Sequence, residues 1–543
     1  KPRETAMASR ATALAIGTYV SALALTYELF RTRVPAPYMD EPFHAGQAQA
    51  YCAANWSQWD EKLTTFPGLH AAAASLAPAL PGGRGPPHCP LHSLRAVNLL
   101  PALAAPLLLL RLLRVLHPDA PPAAALANAL VLALLPPHFF FHFLFYTDSA
   151  ATASVLLLYL LSLPHRGAST GVRRLGDSVG VTLAGWMAVA FRQTNAVWLL
   201  FSMIYASLAD LESHPGSQLR RRDRKLIPAV IALLRELPAH VPALLAAHAG
   251  PLLTLCLFAA FVIHNGGVVL GDKSNHAPVA HGAQLLYLSV VAAAPFEIGR
   301  LATDLPRLLG KSLRNAMRSP LLSLLMAALA SCAAWLTYDH PFLLADNRHV
   351  TFYVWRHVLA RHWAIRYLLV PGYLFLGSLI YPAVWKAQGA LRACLLFGCC
   401  ALVLVPTPLL EPRYFTLPVL LLRLHAPPMI GPRAWAPPVI ASQRVPQEMS
   451  MQSLIRLTEF LPCYTPHARD AISPSFSLRS WFYSHSSTSS CLLFSSGGRT
   501  LGSTDLSHAS CGERLSAEQF NDFVIDTMVR SLLGTLRIGT NGQ

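Results

Sequence analysis

The sequence predicts an all-α polytopic membrane protein with about twelve transmembrane helices. Of its 543 residues, 53% are hydrophobic and 13% are charged, about half the charged share of a typical soluble domain. The mean hydropathy is +0.40, and the apolar residues form runs close to the ~20 residues that cross a bilayer. The net charge of +16 lies in short Lys and Arg clusters between these runs. Such clusters indicate membrane topology, so membrane lipid is an expected partner and nucleic acid is not.

The apolar runs give twelve candidate spans with approximate boundaries. They are 11–30, 94–113, 121–142, 149–163, 178–192, 196–209, 241–263, 277–296, 319–338, 365–384, 391–408 and 414–431. The first lacks a small-residue cleavage site, which favours a retained anchor over a removed signal peptide. Residues 178–209 could form one long helix, but strongly basic flanks on both sides favour two crossings.

The basic clusters also predict which side of the membrane each loop faces. Counted from a cytoplasmic N-terminus, the crossings place five clusters on the cytoplasmic side. These are Arg111/Arg114, Arg173/Arg174, Arg220–Lys225, Arg307–Arg318 and Lys386/Arg392. The polar motifs collect on the opposite, lumenal side. Arg356 and Arg361 also fall there, which we interpret as a helix lying at the membrane interface.

The first lumenal loop begins P-Y-M-D-E-P-F-H, with adjacent carboxylates at Asp40 and Glu41. A carboxylate at the edge of a membrane span could take a proton from a hydroxyl of a lipid-carried substrate. The pair could also be an ordinary solvated loop or a helix N-cap. The residues alone therefore leave both interpretations open.

Four further lumenal motifs carry polar candidates. Thr147-Asp148 precedes an Ala-rich run, which favours Asp148 as a helix cap. Arg192, Gln193 and Asn195 lie between two apolar runs, where polar side chains are costly unless they line protein or a water-filled cavity. Asp272-Lys273 could be a substrate contact or only a surface ion pair. Asp346-Asn347-Arg348-His349 could bind substrate or only form a turn.

No pattern in the sequence predicts a metal site. His138 and His142 have helical spacing, but no partner carboxylate lies nearby, so aromatic packing is the preferred interpretation. The ten cysteines contain no C-x-x-C pair. We expect no disulfide framework in so large a chain, and we expect Cys394, Cys399 and Cys400 to be small core residues.

Seven motifs together resemble the dolichyl-phosphate-glucose-dependent α-1,2-glucosyltransferases of the endoplasmic reticulum. The resemblance runs in chain order from about Tyr19 to His425. The motifs are Y-M-D-E-P-F-H-A-G-Q-A-Q-A-Y-C, T-T-F-P-G-L, F-Y-T-D, F-R-Q-T-N, G-D-K-S-N-H, L-L-A-D-N-R-H-V-T-F-Y-V-W and E-P-R-Y-F. A tract rich in Ala, Pro, Gly and Leu at 71–90 departs from the family pattern.

The resemblance implies a type-C glycosyltransferase fold with an acidic base in the first lumenal loop. It implies inverting transfer of glucose from dolichyl phosphate glucose to the terminal glucose of a dolichyl-diphosphate-linked oligosaccharide. Asp40 is the expected base, and Glu41 is the reserve candidate or orients the acceptor. Cations would stabilise the departing phosphate, with no metal or cofactor required. The expected substrate-binding residues are His44, Asp148, Arg192, Gln193, Asn195, Asp272, Lys273, Asp346, Asn347, Arg348, His349, Arg413 and Tyr414.

The C-terminal region differs in composition from the rest. We expect a membrane glycosyltransferase domain over 1–433, followed by a Ser- and Pro-rich disordered segment over 434–511. Residues 512–543 regain a helical pattern, which is either an amphipathic tail or an artefact of gene prediction.

One alternative function of a different class stays open. A polytopic transporter or lipid scramblase would also place polar residues near apolar helices. Transporters often contain internal repeats with interrupted helices, and no such repeat is visible here. The polar motifs also collect at one face instead of the bilayer midplane, which favours the transferase.

Overall fold

In the part of the chain that the structure describes, the regular secondary structure is entirely helical. The computed structural model describes residues 2–80, 83, 89–163, 171–214, 216–219, 223, 225–345 and 350–429. The predicted segments 434–511 and 512–543 lie outside these residues. The helices are α1 (Pro2–Arg33), α2 (Glu41–Cys52), α3 (Gly68–Leu76), α4 (Leu91–Val97), α5 (Leu99–Leu116), α6 (Pro122–Ala133), α7 (Pro136–Phe141), α8 (Thr147–Ser162), α9 (Gly171–Phe191), α10 (Asn195–Ser213), α11 (Leu226–Ala247), α12 (Ala249–Asn265), α13 (Ala283–Arg318), α14 (Pro320–Trp335), α15 (Pro341–Ala345), α16 (Val350–Val354), α17 (Ile365–Leu368), α18 (Val370–Gln388), α19 (Ala390–Leu404) and α20 (Thr416–His425).

The apolar helices make this a multi-pass membrane protein. Six helical segments in the described part of the chain are long and apolar enough to cross a bilayer. They are Thr12–Arg33, Leu91–Leu116, Asn195–Ser213, Leu226–Ala247, Ala283–Arg318 and Ile365–Gln388. Six shorter apolar helices accompany them: Pro122–Ala133, Thr147–Ser162, Ser178–Phe191, Ala249–Asn265, Pro320–Trp335 and Ala390–Leu404.

Several predicted boundaries match the helices and four do not. Residues 178–209 form two helices as predicted, with α9 ending at Phe191 and α10 beginning at Asn195. The run 121–142 is broken, because the Pro136-Pro137 pair starts a separate helix. The run 241–263 belongs to two helices that divide at His248, and α11 reaches back to Leu226. The run 277–296 begins later, at Ala283, and its helix continues to Arg318. The last run, 414–431, contains the short helix α20, which ends at His425.

Two apolar clusters hold the helices that position the polar motifs. The larger cluster combines buried side chains of α1, α5, α6, α8, α10 and α18 to α20. A smaller one joins Ala45 of α2, Leu69 of α3 and Leu94 of α4 to Phe145. The first polar loop therefore has its own core and is not a flexible connection.

A disulfide closes this loop, contrary to the expectation from cysteine spacing. Cys52 at the end of α2 is bonded to Cys89, just before α4, with a Cα–Cα distance of 6.3 Å. The 37-residue separation gives no local signature that would have predicted the pair. Cys399 and Cys400 are free and buried, as predicted for small core residues.

The junction between α18 and α19 requires glycine. Gly389 has φ +83°, and a Cβ built there would lie 1.8 Å from Asp223 Oδ2. The Asp223 carboxylate accepts a hydrogen bond from the Leu391 N–H, and the Asp223 backbone carbonyl accepts one from the Ala390 N–H. Asp223 thus binds the first N–H groups of α19 and needs close access to the backbone.

We expect Gly389→Ala to lower the unfolding free energy by roughly 2 kcal/mol or more, because it adds backbone strain and a clash. Thermal unfolding of the detergent-solubilised protein measures the effect. Gly398→Ala is the matched control, since Gly398 lies in α19 with nothing within 4 Å of its Cβ position. Equal midpoints for the two variants would contradict the role of Gly389.

Candidate active site

Arg413 lies at the centre of a cluster of carboxylates and aromatic rings. Its guanidinium hydrogen-bonds to Glu411 and lies 3.8 Å from both Asp40 Oδ2 and Asp148 Oδ2. The ring centroids of Tyr146 and Tyr414 lie 5.4 and 5.3 Å from the guanidinium carbon of Arg413. Burial lowers the pKa of Arg413, but Glu411 and the other negative groups raise it well above its usual value. The side chain therefore provides a fixed positive charge.

Arg192 and Asp148 extend this cluster from α9 and α8. Arg192 Nη1 donates to Asp148 Oδ1 at 2.5 Å, and its guanidinium lies 5.2 Å from the Tyr414 ring centroid. Burial raises the pKa of Tyr414 to about 12, so this ring stays neutral between the two arginines. The prediction of Asp148 as a helix cap is wrong. Tyr146 occupies the N-cap of α8, and no side-chain cap bond forms.

Asp40 is the accessible carboxylate of the cluster. Its side chain is 52% exposed, whereas that of Asp148 is 9% exposed. The Asp40 backbone N–H donates to the Tyr146 hydroxyl, and the preceding residue, Met39, has φ 56°. Asp40 occupies the N-cap of α2 without a side-chain cap bond. Its carboxylate therefore faces solvent near Arg413 and is not used to hold the helix.

Glu41 has the opposite environment although it is the next residue. Its side chain is fully buried and forms a bidentate ion pair with Arg95, with N–O distances of 2.8 and 2.5 Å. The backbone N–H groups of Tyr38 and Phe145 donate to the same carboxylate at 2.8 and 2.7 Å. Four donors thus surround Glu41, which joins the loop before α2 to α4 and to the loop before α8.

His44 lies behind Asp40, on the buried face of α2. Its Nδ1 is 3.1 Å from Nε2 of His70, and its ring centroid is 5.2 Å from that of Tyr146. Burial, with His70 and Arg413 nearby, holds the pKa of His44 well below its usual value. Burial lowers the pKa of His70 to about 4. At neutral pH both rings are therefore uncharged and share one hydrogen bond.

Gln193 and Asn195 hold the turn between α9 and α10. Gln193 donates to the Thr64 carbonyl at 2.8 Å, and Asn195 donates to the Ala188 carbonyl at 2.8 Å. Both amides therefore use their donors on the backbone. In the F-R-Q-T-N motif, Arg192 is the residue whose side chain joins the charged cluster.

The G-D-K-S-N-H motif forms a separate turn that is tied to the first loop. The Gly271 N–H donates to the Leu63 carbonyl, and a Cβ at Gly271 would lie 2.1 Å from the Glu61 carbonyl oxygen. Asp272 accepts a hydrogen bond from Asn275 at 2.8 Å, and Lys273 donates to the Asn265 carbonyl at 2.6 Å. Asp272 and Lys273 are thus bonded within their own loop and do not pair with each other. Asp346, Asn347, Arg348 and His349 lie outside the described residues.

The histidines of α7 pack as the sequence predicts. The His138 and His142 rings meet edge to face at 4.4 Å, and His142 Nδ1 lies 2.8 Å from Ser149 Oγ. In the ranges that the structure describes, no three His, Cys, Asp or Glu side chains are arranged to hold a metal ion.

Sequence reasoning did not single out Arg95, Tyr146 or Glu411. Arg95 is a lone charge near the start of an apolar run, and such a charge calls for a buried partner. Glu411 stands two residues before Arg413 in a motif that the sequence analysis quotes. Tyr146 had no signal of its own, because its contact with Asp40 joins residues 106 positions apart.

The apolar helices and the charged cluster place this protein in the class of polytopic membrane enzymes that hold a carboxylate and arginines beside a helix bundle. Within this class the chain belongs to the DIE2/ALG10 family, whose sequence profile matches residues 34–424. A relative from Arabidopsis thaliana is 32% identical over 72% of this chain and 86% of its own length. It is named Dol-P-Glc:Glc(2)Man(9)GlcNAc(2)-PP-Dol alpha-1,2-glucosyltransferase.

Animal relatives carry the same name. The one from Homo sapiens is 32% identical over 74% of this chain and 86% of its own length. The one from Drosophila melanogaster is 31% identical over 71% of this chain and 83% of its own length. No solved structure matches the chain.

We expect Glu41→Gln to lower the unfolding free energy by about 3–5 kcal/mol, because it leaves the Arg95 charge buried without its partner. Asp40→Asn is the matched control and should change stability by less than about 0.5 kcal/mol, since its carboxylate is half exposed. Thermal unfolding in detergent compares the two variants. A larger loss for Asp40→Asn would contradict these roles.

Proposed function

We propose that this chain is a dolichyl-phosphate-glucose-dependent α-1,2-glucosyltransferase of the endoplasmic reticulum membrane. Its substrates are dolichyl phosphate glucose and the dolichyl-diphosphate-linked oligosaccharide with two glucoses, whose terminal 2-hydroxyl accepts the third. The family match and the shared name of the relatives support this activity. The transporter or scramblase alternative has no comparable support.

The observation that carries the mechanism is the half-exposed Asp40 carboxylate 3.8 Å from Arg413. In this proposal the acceptor hydroxyl attacks C1 of glucose, and its proton moves to Asp40. The bond between C1 and the phosphate oxygen breaks, and the negative charge that develops on the phosphate is stabilised by guanidinium groups. A single displacement inverts the configuration at C1. The lipid phosphate is already a good leaving group, so the proposal includes no metal or cofactor.

Exposure assigns different roles to the two adjacent carboxylates. Asp40 can be reached by an acceptor hydroxyl, whereas Glu41 has no exposed surface and is surrounded by donors. We assign the base to Asp40 and a positioning role to Glu41, which holds the backbone of the first loop against Arg95. His44 and Tyr414 flank the cluster and are the candidates for orienting the sugar.

The charge of the cluster indicates that the phosphate needs further cations. Three carboxylates, those of Asp40, Asp148 and Glu411, accompany the guanidinium groups of Arg192 and Arg413. A phosphate placed there would meet net negative charge. We therefore propose that Arg348 and His349 of the D-N-R-H motif complete the site. Asp346, Asn347, Asp272 and Lys273 remain candidates for sugar or phosphate contacts.

We propose a type-C glycosyltransferase fold of about twelve crossings, with the active site on the lumenal side. If α11 crossed the membrane, every later loop would lie on the other side of the membrane from the one predicted. The contacts of α11 argue against such a crossing. Ser217, just after α10, donates to Glu236 in the middle of α11, and Ser207 of α10 is hydrogen-bonded to His248 at the C-terminal end of α11. We infer that α11 lies across the helix ends at the membrane surface. The Cys52–Cys89 disulfide also suits an oxidising lumen.

We expect Asp40→Asn to reduce glucosyl transfer about 10²–10⁴-fold, the usual contribution of a general base. Microsomes that express the chain are assayed with radiolabelled dolichyl phosphate glucose and the diglucosylated acceptor. The matched control is Asp339→Asn, because the Asp339 carboxylate is 50% exposed and lies 4.0 Å from Arg366. Undiminished transfer by Asp40→Asn at equal expression would exclude it as the base, and absence of transfer by the wild type would overturn the activity.

The orientation is tested by cysteine labelling in sealed microsomes, in a background without the other unpaired cysteines. Ser274→Cys lies in the exposed 271–276 turn and should react with a membrane-impermeant maleimide only after permeabilisation. Lys311→Cys lies in the basic cluster 307–318, which the charge pattern predicts to be cytoplasmic, and it should react without permeabilisation. Labelling of Ser274→Cys in sealed vesicles would reverse the topology.

A further inference from the structure

The second half of α13 carries a cationic stripe that the glucosyl transfer does not use. Basic side chains stand at steps of three, four or seven residues, and one acidic residue, Asp304, interrupts them. In the arm after Asp304, these steps place the four basic side chains within roughly 60° of the helix circumference. Together they line a cavity of about 500 Å³. The basic residues are Arg300, Arg307, Lys311, Arg314 and Arg318.

A bend in α13 brings these side chains around one cavity. Asp304 has non-helical φ −122° and ψ 17°, and Pro306 follows it. In a straight helix Arg300 and Arg318 would be about 27 Å apart along the axis. Instead, one arm contacts α18 through a bond between Ser289 and Tyr381, and the other through a bond between Ser312 and Ser378. The bend therefore folds the two arms toward each other.

The opposite face of this segment is apolar and uncovered. Its side chains recur every four residues and are 40%, 45%, 63% and 72% exposed at Leu305, Leu309, Leu313 and Met317. The exposed apolar surface continues directly into α14, where Leu321 is 83% exposed. In a membrane protein, such exposed apolar surface faces hydrocarbon. The cationic stripe, on the other side of the same helix, then faces away from the hydrocarbon.

Most of the cations form no ion pair with another described residue. Arg300 pairs with Glu297 at 2.7 Å. Within the ranges that the structure describes, no ion pair is formed by Arg307, Lys311, Arg314 or Arg318. A cationic face opposite an apolar face is the pattern of helices that bind anionic lipid headgroups at a membrane surface.

We propose that the bend of α13 is a binding site for the phosphate of an anionic phospholipid. The phosphate binds the basic side chains at headgroup level, and the acyl chains extend past the helix into the hydrocarbon that its apolar face meets. A soluble anion would use the charges but would leave the apolar face uncovered. In the orientation proposed above, this lipid belongs to the cytoplasmic leaflet, opposite the glucosyl-transfer site.

The test measures lipid binding by the full chain and needs no glucosyl transfer. Purified protein in uncharged detergent micelles is titrated against acyl-chain-labelled phosphatidylserine, with fluorescence anisotropy as the readout. Each Lys or Arg near an anionic surface contributes roughly fivefold to binding. We therefore expect the triple variant Arg307→Gln/Lys311→Gln/Arg314→Gln to bind at least tenfold more weakly than the wild type. Phosphatidylcholine should bind both proteins weakly.

The matched control neutralises three exposed arginines elsewhere, in the variant Arg33→Gln/Arg111→Gln/Arg361→Gln, and should change binding less than threefold. Leu309→Gln/Leu313→Gln removes apolar surface without removing charge and should also weaken binding of the lipid. An unchanged thermal midpoint for each variant excludes misfolding. A loss below tenfold in the stripe variant, or an equal loss in the control, would overturn the site. Equally tight binding of soluble glycerophosphoserine would overturn its assignment to lipid.

Discussion

The architecture of the site depends on the buried ion pair between Glu41 and Arg95. Both side chains are at most 2% exposed, so neither charge is compensated by water. Arg95 also donates to the carbonyls of Val34 and Ala36, while Glu41 accepts from two backbone N–H groups. This network fixes the chain from the end of α1 to the start of α2. The accessible Asp40 carboxylate is held in place by its neighbour, not by its own side chain.

The same constraint explains how two adjacent acids acquire different chemistry. Because they stand at the first turn of α2, their side chains point in different directions, one toward the small core and one toward the charged cluster. Burial makes Glu41 inaccessible, and exposure leaves Asp40 free to accept a proton. Arg413 lies between Asp40 and Asp148 and couples the first loop to α8 and to the segment before α20. Three distant stretches of sequence thus converge on one guanidinium group.

Much of the fold could be predicted from the sequence, because apolar run length and basic flanks report directly on membrane helices. The two helices on either side of Arg192 are an example. The division at His248, the long α11 and the bend at Asp304 were not predicted, since they depend on packing against α10 and α18. The sequence motifs singled out Asp40, Arg192 and Arg413, which lie in one cluster, but they did not single out Arg95. Its importance follows from a partner 54 residues away, and residue spacing contains no information about such contacts.

The Cys52–Cys89 bond has a consequence for how this protein can vary. It joins the two ends of a segment that includes much of the Ala-, Pro- and Gly-rich tract, where the sequence departs most from the family pattern. Since the ends are covalently fixed, an insertion or deletion between them lengthens or shortens a closed ring without displacing α2 or α4. Loop-closure entropy changes only slowly with ring size. The bond therefore limits how far a change of length in this tract can move the end of α2 or the start of α4.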